Sequence, residues 1–382
     1  MRRVVAALAV IAMVGAFSAP APAGAEPGDA LHRKIFGELD SFVSWLGTNH
    51  VAGFVGEIGW PDDAGGDADQ WNELASEYYD KLDQAGVSAM VWATGEWWPR
   101  DYKLAAYEET GGSEGVDSPN TQAPVIEAHP STDSYLRGVD VATGTFCEAD
   151  HGASRSWFSN HLNDRYGRCY IYDNQNTFEF LASRGIDTIK IEFRWELLQK
   201  KLGGKLDPTE IRRLTRAVDA ARAAGLKVIL SMHNFGAYFL WNGEEGVRRT
   251  VGTRKVPISD LQDVWKRISR RFAADPGVYY AIMCEPVRMK SGPGESGAEL
   301  WERVSQRVVS AIRSTGDDKL IFVSGYRWSA LAGWAERHPE PWIDDPANNV
   351  MYEAHHYWDR DGSGAYDYSY SDEVGYAEEQ GY

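Results

Sequence analysis

The residues of this sequence with the clearest capacity for chemistry are two glutamates that follow short apolar runs. Glu57 stands between Gly56 and Gly59 at the end of the run that begins at Val51, and Glu285 ends a second run. A carboxylate at a strand end is either a structural acid, which caps the following helix, or a catalytic one. Two such acids at one mouth could cleave a glycosidic bond: one protonates the leaving oxygen, and the other attacks the sugar carbon or activates water.

These acids belong to a regular alternation of apolar runs and helical patterns. Apolar runs of strand length end at 57, 93, 141, 193, 233, 285, 324 and 355. Amphipathic helices are predicted over 30–48, 69–86, 176–185, 208–225, 259–274, 298–315 and 329–337. Eight strands separated by helices predict an α/β fold, the (β/α)8 TIM barrel. The polar segment 99–134 is predicted to be a long surface connection, and no strand is predicted in 370–382.

In such a barrel the functional side chains lie at the carboxyl ends of the strands. His233 and His355 also follow strands, so we expect them at the same mouth as the two glutamates. Closure of the barrel requires the last strand to lie beside the first, with the helix over 30–48 crossing between them. The two ends of the barrel chain should then meet at that seam.

Aromatic residues are abundant near the predicted mouth. The chain has 15 Trp and 19 Tyr, and Trp60, Trp97, Trp98, Trp241 and Trp358 stand in polar loop sequence. Core packing explains most single tryptophans, but a cluster at strand ends is typical of a surface on which pyranose rings stack.

Bulk properties limit the partners and the compartment. The first 25 residues have a basic start, an apolar stretch over 4–17 and small residues at 23–25, which predicts a signal peptide followed by one domain over 26–382. The net charge of −17 disfavours nucleic acid and anionic membranes as partners, and no later stretch reaches the ~20 apolar residues of a membrane span. We therefore expect a secreted protein, which we predict to be a monomer.

The three cysteines do not follow a metal-site spacing, and no cofactor fingerprint is present, so we predict no metal and no cofactor. Cys147 and Cys169 could form one disulfide, which would leave Cys284 unpaired.

Several motifs together resemble the cellulase-type glycoside hydrolase family 5. Its first four strands are similar to LRGVD (136–140), IKIEFRWE (189–196), SMHN (231–234) and CEP (284–286). Its sixth strand is similar to YEAHHYWD (352–359), and its last two are similar to GEIGWP (56–61) and VWATGEWW (91–98). The family order is recovered only when the chain is read from 136 to 382 and then from 30 to 112. The resemblance therefore implies a circularly permuted barrel in which the usual strands 7 and 8 come first.

The resemblance also implies roles for individual residues. Glu285 would be the general acid/base and Glu57 the nucleophile of a retaining glycosidase, most simply an endo-β-1,4-glucanase acting on a polysaccharide. The substrate-binding residues that it implies or that the aromatic pattern adds are Trp92, Trp97, Lys190, His233, Asn234, Cys284, His355 and Tyr357.

Two positions depart from the family pattern. Cys284 replaces the Asn that binds the sugar 2-hydroxyl, and Lys190 replaces the Arg that holds the nucleophile. Either the substrate differs at that hydroxyl, or activity is reduced, or Asn234 or another amide supplies the contact. The alternatives to a glucanase are a glycosidase for mannan or a cell-wall glycan, and a barrel that binds carbohydrate without catalysis.

Overall fold

The computed structural model describes residues 29–62, 66–99, 101–112, 114–145, 159–161, 166–289 and 294–382. Eight parallel strands form a closed barrel in the order β1-β12-β11-β10-β7-β6-β5-β2, and β2 pairs with β1 to complete the circle. This confirms the predicted eight-stranded barrel. The barrel strands are β1 (Ala52–Gly59), β2 (Ser88–Thr94), β5 (Arg137–Val141), β6 (Thr188–Phe193), β7 (Lys227–Met232), β10 (Val278–Ala281), β11 (Ile321–Ser324) and β12 (Val350–Tyr357).

Helices surround the barrel and bury their apolar faces against it. They are α1 (Ala30–Asn49), α2 (Ala68–Ala85), α3 (Ala123–Ala128), α4 (Gln175–Ser183), α5 (Trp195–Leu198), α6 (Pro208–Ala223), α7 (Ile258–Phe272), α8 (Gly297–Arg313), α9 (Trp334–Arg337) and α10 (Tyr370–Glu379). Among the described residues, no helix is long and apolar enough to cross a bilayer.

The predicted seam is present. The first strand β1 pairs in parallel with the last strand β12, and Glu57 lies opposite His355. Across the same seam the Arg33 guanidinium donates to the backbone oxygen of Tyr382 at 2.8 Å, and the Tyr370 hydroxyl donates to Asp29 at 2.9 Å. The tail over 370–382, in which no strand was predicted, contains helix α10, and this helix packs on α1.

The prediction of a surface connection over 99–134 is wrong. This segment contains α3 and the two short strands β3 (Tyr107–Glu108) and β4 (Ser118–Pro119), of which β3 extends the sheet beside β2. Leu104, Tyr107 and Ile126 are buried. The apolar residues of the segment are spaced irregularly, so the sequence carries no helical or strand period even though the chain packs on the barrel. A hairpin of β8 (Ala237–Trp241) and β9 (Gly246–Thr250), which we did not predict, follows β7.

Side chains of the barrel strands alternate between the barrel interior and the helices. A small apolar plug of Phe54, Met90, Ile229, Ala281 and Phe322 forms its own cluster, separate from the large core under the helices. Polar side chains follow the same alternation on other barrel strands, for example Lys190 and Glu192 on β6. The carboxyl end of the barrel therefore holds buried ionisable groups above an apolar base.

Strand β1 carries a bulge that breaks this alternation. Val55 pairs with Ala354 and Glu57 with His355, so Gly56 is an extra residue opposite no partner. Phe54 and Glu57 are three positions apart, and strict alternation would put them on opposite faces. The bulge at Gly56 instead brings both to the barrel interior.

Two predictions concern residues outside the described ranges. The signal peptide over 1–25 and Cys147, one half of the predicted disulfide, both lie there. Both remain predictions. Cys284 is a buried free thiol, as expected.

Candidate active site

Glu57 is held by side chains from three different strands or strand ends. The Tyr357 hydroxyl donates to Glu57 Oε2 at 2.7 Å, and the Cys284 thiol donates to Oε1 at 3.3 Å. Lys190 Nζ also lies 3.5 Å from Oε1. The carboxyl group is thus buried and surrounded by hydrogen-bond donors.

Glu285 reaches the same place from the end of β10. Its Oε1 lies 3.1 Å from His355 Nδ1, and that same nitrogen lies 3.3 Å from Glu57 Oε2. The two carboxyl oxygens are therefore separated by no more than the sum of these distances. Glu285 is the more exposed of the pair, and its backbone has a positive φ of 50°, a left-handed conformation that is uncommon for residues other than glycine.

Lys190 is the central cation of the site. Its Nζ lies 2.7 Å from Asp140 Oδ2, 3.5 Å from Glu353 Oε1 and 4.0 Å from Glu192 Oε1, in addition to Glu57. All of these side chains are buried. One ammonium group therefore faces four carboxyl groups.

The electrostatics of the cluster follow from burial and from these pairs. Burial opposes the charge of Lys190, but Asp140, Glu57 and Glu353 hold its pKa well above the usual value. Burial also opposes the charge of His355, yet Glu57, Glu285 and Glu353 raise its pKa to about 10. Burial alone would raise the pKa of Glu353, but Lys190 and His355 lower it to about 2. His355 is consequently an imidazolium at neutral pH, in contact with both candidate catalytic acids.

Asp140 is the exception among the acids. Burial raises the pKa of its carboxyl group well above the usual range. Lys190 opposes this increase, while the neighbouring Glu192 and Glu57 add to it.

The two glycines around Glu57 leave space for side chains from β12. A Cβ atom on Gly56 would lie 2.1 Å from Glu353 Oε1, and one on Gly59 would lie 2.9 Å from Tyr357 Cε1. The glycines that marked this stretch in the sequence thus allow Glu353 and Tyr357 to approach Glu57.

A Gly56→Ala substitution should displace Glu353 and with it the ion pair to Lys190. We expect a loss of about 1–3 kcal/mol in the free energy of unfolding, as for other overpacked sites, measured by urea denaturation. Gly47→Ala in α1 is the matched control, because a Cβ there meets no atom within 4 Å and should leave stability unchanged or slightly higher. Equal losses in both variants would contradict the packing argument.

The predicted substrate-binding residues differ in their burial and in the side chains that they contact. Trp92 is buried on β2, where its indole donates to the Tyr102 hydroxyl at 2.7 Å, and its ring lies 6.1 Å from that of His233. His233 Nδ1 forms a short hydrogen bond with Glu192 Oε2. Trp97 is half-buried in the turn after β2.

Asn234 faces away from the two candidate catalytic acids. Its Oδ1 accepts from Trp195 N at 2.8 Å, and its Nδ2 donates to Glu196 at 2.7 Å and to the Ala237 carbonyl at 3.3 Å. The residue is fully buried. These contacts favour a structural role at the end of β7 over the predicted contact with a sugar.

Sequence reasoning placed Asp140 and Glu192 at strand ends without giving them a role in the site, and it did not single out Glu353. All three lie inside quoted motifs, and two of them follow the strand period: Glu192 is two residues from Lys190, and Glu353 is two residues from His355. For Glu192 and Glu353, this same-face spacing was the signal that could have given them a role in the site.

A second acidic pair lies beside the mouth. Asp173 accepts from the backbone N of Glu96 at 2.7 Å and from the Thr143 hydroxyl. Burial, together with the charge of Glu96, raises the pKa of Asp173 to about 7. An acid with a raised pKa in the folded state binds its proton more tightly there than in the unfolded chain.

The raised pKa of Asp173 predicts that the free energy of unfolding falls as the pH rises. Between about pH 4 and pH 7 the folded state holds a proton on Asp173 that the unfolded state has lost, so the free energy of unfolding should decrease on the order of 2–4 kcal/mol across this window. Asp173→Asn removes the titration, and its unfolding free energy, measured by denaturant titration at several pH values, should depend less on pH than that of the parent. Parallel pH profiles for the two proteins would contradict the assignment.

Comparison with known proteins identifies the family to which this geometry belongs. The model of the cellulase family, glycosyl hydrolase family 5, matches residues 148–381. The chain belongs to glycosyl hydrolase family 5.

The relatives within family 5 have low sequence identity to this chain, and their names agree in describing glucanases. Endo-beta-1,4-glucanase B of Aspergillus niger is 26% identical over 220 residues, which are 57% of this chain and 61% of that protein. The chain thus spans about three fifths of the curated relatives that it matches. Among solved structures, the endoglucanase of Pseudomonas stutzeri in complex with cellobiose is 34% identical with a TM-score of 0.51, covering 62% of this chain and 65% of that one. An endo-beta-1,4-glucanase of Xanthomonas axonopodis pv. citri is 26% identical with a TM-score of 0.50, covering 63% and 72%.

Proposed function

We propose that this family 5 protein is a secreted retaining glycoside hydrolase that cleaves β-glycosidic bonds of a polysaccharide, in the manner of an endo-β-1,4-glucanase. The observation that carries the proposal is the pair Glu57 and Glu285, both in contact with His355 Nδ1. The names of the relatives, which are glucanases, support the choice of a β-1,4-glucan as substrate.

The roles follow from the surroundings of each acid. Glu57 is buried among donors, which suits a carboxylate that attacks the anomeric carbon. Glu285 is more exposed and has fewer donors, which suits an acid that protonates the leaving oxygen and then activates water. Both carboxyl groups contact the same nitrogen of His355, and this closeness supports retention through a covalent glycosyl-enzyme.

The strand carrying Glu57 comes first in this chain, and we propose that the barrel is a circular permutation of the family arrangement. The family match begins at residue 148, yet β1, β2 and β5 precede it and complete the barrel. The contacts of Arg33 with Tyr382 and of Asp29 with Tyr370 support the same proposal, because opening a closed barrel at a new seam leaves its two new ends side by side. We also propose that residues 1–25 export the protein, which then acts as a monomer.

The test is a panel of carboxymethyl cellulose, mannan and a bacterial cell-wall glycan, with the anomeric form of the first product followed by NMR. We expect the β-glucan to be the best substrate and the product to retain its configuration. Inversion would overturn the mechanism. A clear preference for mannan or the wall glycan would favour the second candidate, which rests on Cys284 in the place of the family Asn.

A non-catalytic carbohydrate-binding barrel is the remaining alternative, and it rests on Cys284 and Lys190 together. It requires that the parent and the Glu285→Gln variant behave identically on every substrate of the panel. A large loss of hydrolysis in that variant excludes it.

A further inference from the structure

The Cys284 thiol lies where two groups of potential metal ligands meet. Cys284, His233 and Glu192 offer one sulfur, nitrogen and oxygen atom within 4.8 Å of one another, and Cys284, Glu57 and His355 do the same on the other side. All five residues are buried. A thiol, an imidazole and a carboxylate are the ligands of zinc-type sites, whereas magnesium and calcium prefer oxygen alone.

The charges around the thiol favour a cation. Asp140, Glu57, Glu192 and Glu353 lie within 4.0 Å of Lys190 Nζ, so the carboxyl groups outnumber the cationic Lys190 and His355. Glu192 Oε1 accepts no hydrogen bond from any residue in the described part of the chain, although it is fully buried. A buried acceptor without a donor is costly, and a metal ion would satisfy it.

We propose that Cys284, His233 and Glu192 form a binding site for a thiophilic divalent cation of the Zn²⁺ class. Binding breaks the S–H bond of Cys284, forms a metal–sulfur bond and releases the thiol proton to solvent. His233 would bind through one ring nitrogen. No oxidation or reduction occurs.

The distances fit such a site with small adjustments. Ligand atoms around tetrahedral zinc lie about 3.5 Å apart, and the three atoms here lie within 4.8 Å of one another before any metal is bound. Glu192 is oriented from outside the three ligands by Thr145, whose hydroxyl donates to its carboxyl group at 3.1 Å. Such outer contacts fix the orientation of metal-binding side chains.

A cation here would also act on the nucleophile. Cys284 Sγ lies 3.3 Å from Glu57 Oε1, so a metal on the sulfur sits beside the carboxylate that must attack the sugar. It would attract that carboxylate and occupy space needed by the substrate. Inhibition of hydrolysis by Zn²⁺ follows, and this consequence rests on the proposed function.

The site can be tested without activity by titrating chelator-treated full-length protein with Cd²⁺ and recording the sulfur-to-cadmium charge-transfer absorption. We expect saturation at one equivalent and no change with Mg²⁺. Cys284→Ser should abolish the band, and Glu192→Gln should weaken Cd²⁺ binding about tenfold or more. Absence of the band in the parent protein overturns the proposal, as does its persistence in a Cys284→Ser variant that circular dichroism shows to be folded. If Cys284→Ser does not fold, unchanged Cd²⁺ affinity in Glu192→Gln overturns it.

The inhibition is tested separately with Zn²⁺ on the hydrolysis of the preferred polysaccharide. We expect Zn²⁺ to inhibit the parent at concentrations that leave Cys284→Asn uninhibited, since the amide supplies no thiolate. Equal inhibition of both would overturn the effect on Glu57. A protein that binds Cd²⁺ but hydrolyses nothing in the absence of metal would refute the proposed function and leave the metal site intact.

Discussion

A Glu57→Gln variant is expected to lose hydrolysis by roughly 10³-fold or more while remaining folded, because an amide cannot form the covalent glycosyl-enzyme. The substitution preserves size and leaves an oxygen that can still accept from Tyr357. Rates on the preferred polysaccharide and on an aryl glycoside with a good leaving group measure the effect. Both should fall to the same extent, since both need the nucleophile.

Glu285→Gln is the matched variant, and its pattern should differ. Loss of the acid should cost about 10²–10⁴-fold on the polysaccharide, but the first step on the aryl glycoside needs little protonation and should remain fast. An initial burst followed by slow turnover is therefore expected only for this variant. If the two patterns were exchanged, Glu57 would be the acid/base and Glu285 the nucleophile.

Replacement of Lys190 by Met is expected to lower the free energy of unfolding more than any other substitution proposed for this protein. It removes the buried cation that faces Asp140, Glu57, Glu192 and Glu353 and leaves their carboxyl groups without compensation. Breaking a buried ion pair in this way costs about 3–5 kcal/mol. Urea denaturation at pH 7 measures the difference from the parent.

The pH dependence of that difference has a definite sign. In the parent, the pKa of Glu353 is lowered from 4.5 to about 2, so its stabilising contribution is complete above pH 4.5 and is lost as the pH falls toward 2. The variant lacks most of this contribution, and the two stabilities should therefore converge over that range. Lys190→Arg is the control: it keeps the charge and restores the family residue, so its loss at pH 7 should be clearly smaller than that of Lys190→Met. A difference independent of pH would contradict the electrostatic explanation.

The sequence alone was sufficient for the order of the eight barrel strands and for the seam between β1 and β12. Predictions such as the strand over 188–193 and the helix over 30–48 succeeded because the apolar period of each segment is local and regular. The prediction for the segment 99–134 was wrong for the converse reason. Its buried residues, such as Tyr107 and Ile126, follow no period, and only contact with the barrel explains their burial.

What the sequence by itself determined about this protein is which residues stand at the carboxyl ends of the strands, and hence the candidate acids Glu57 and Glu285. Only the tertiary structure decided how those residues face one another. The bulge at Gly56 turns Glu57 into the barrel, and Glu353, almost 300 residues later, occupies the space that a side chain at Gly56 would need. Such features depend on the register between strands distant in sequence, which no local pattern records.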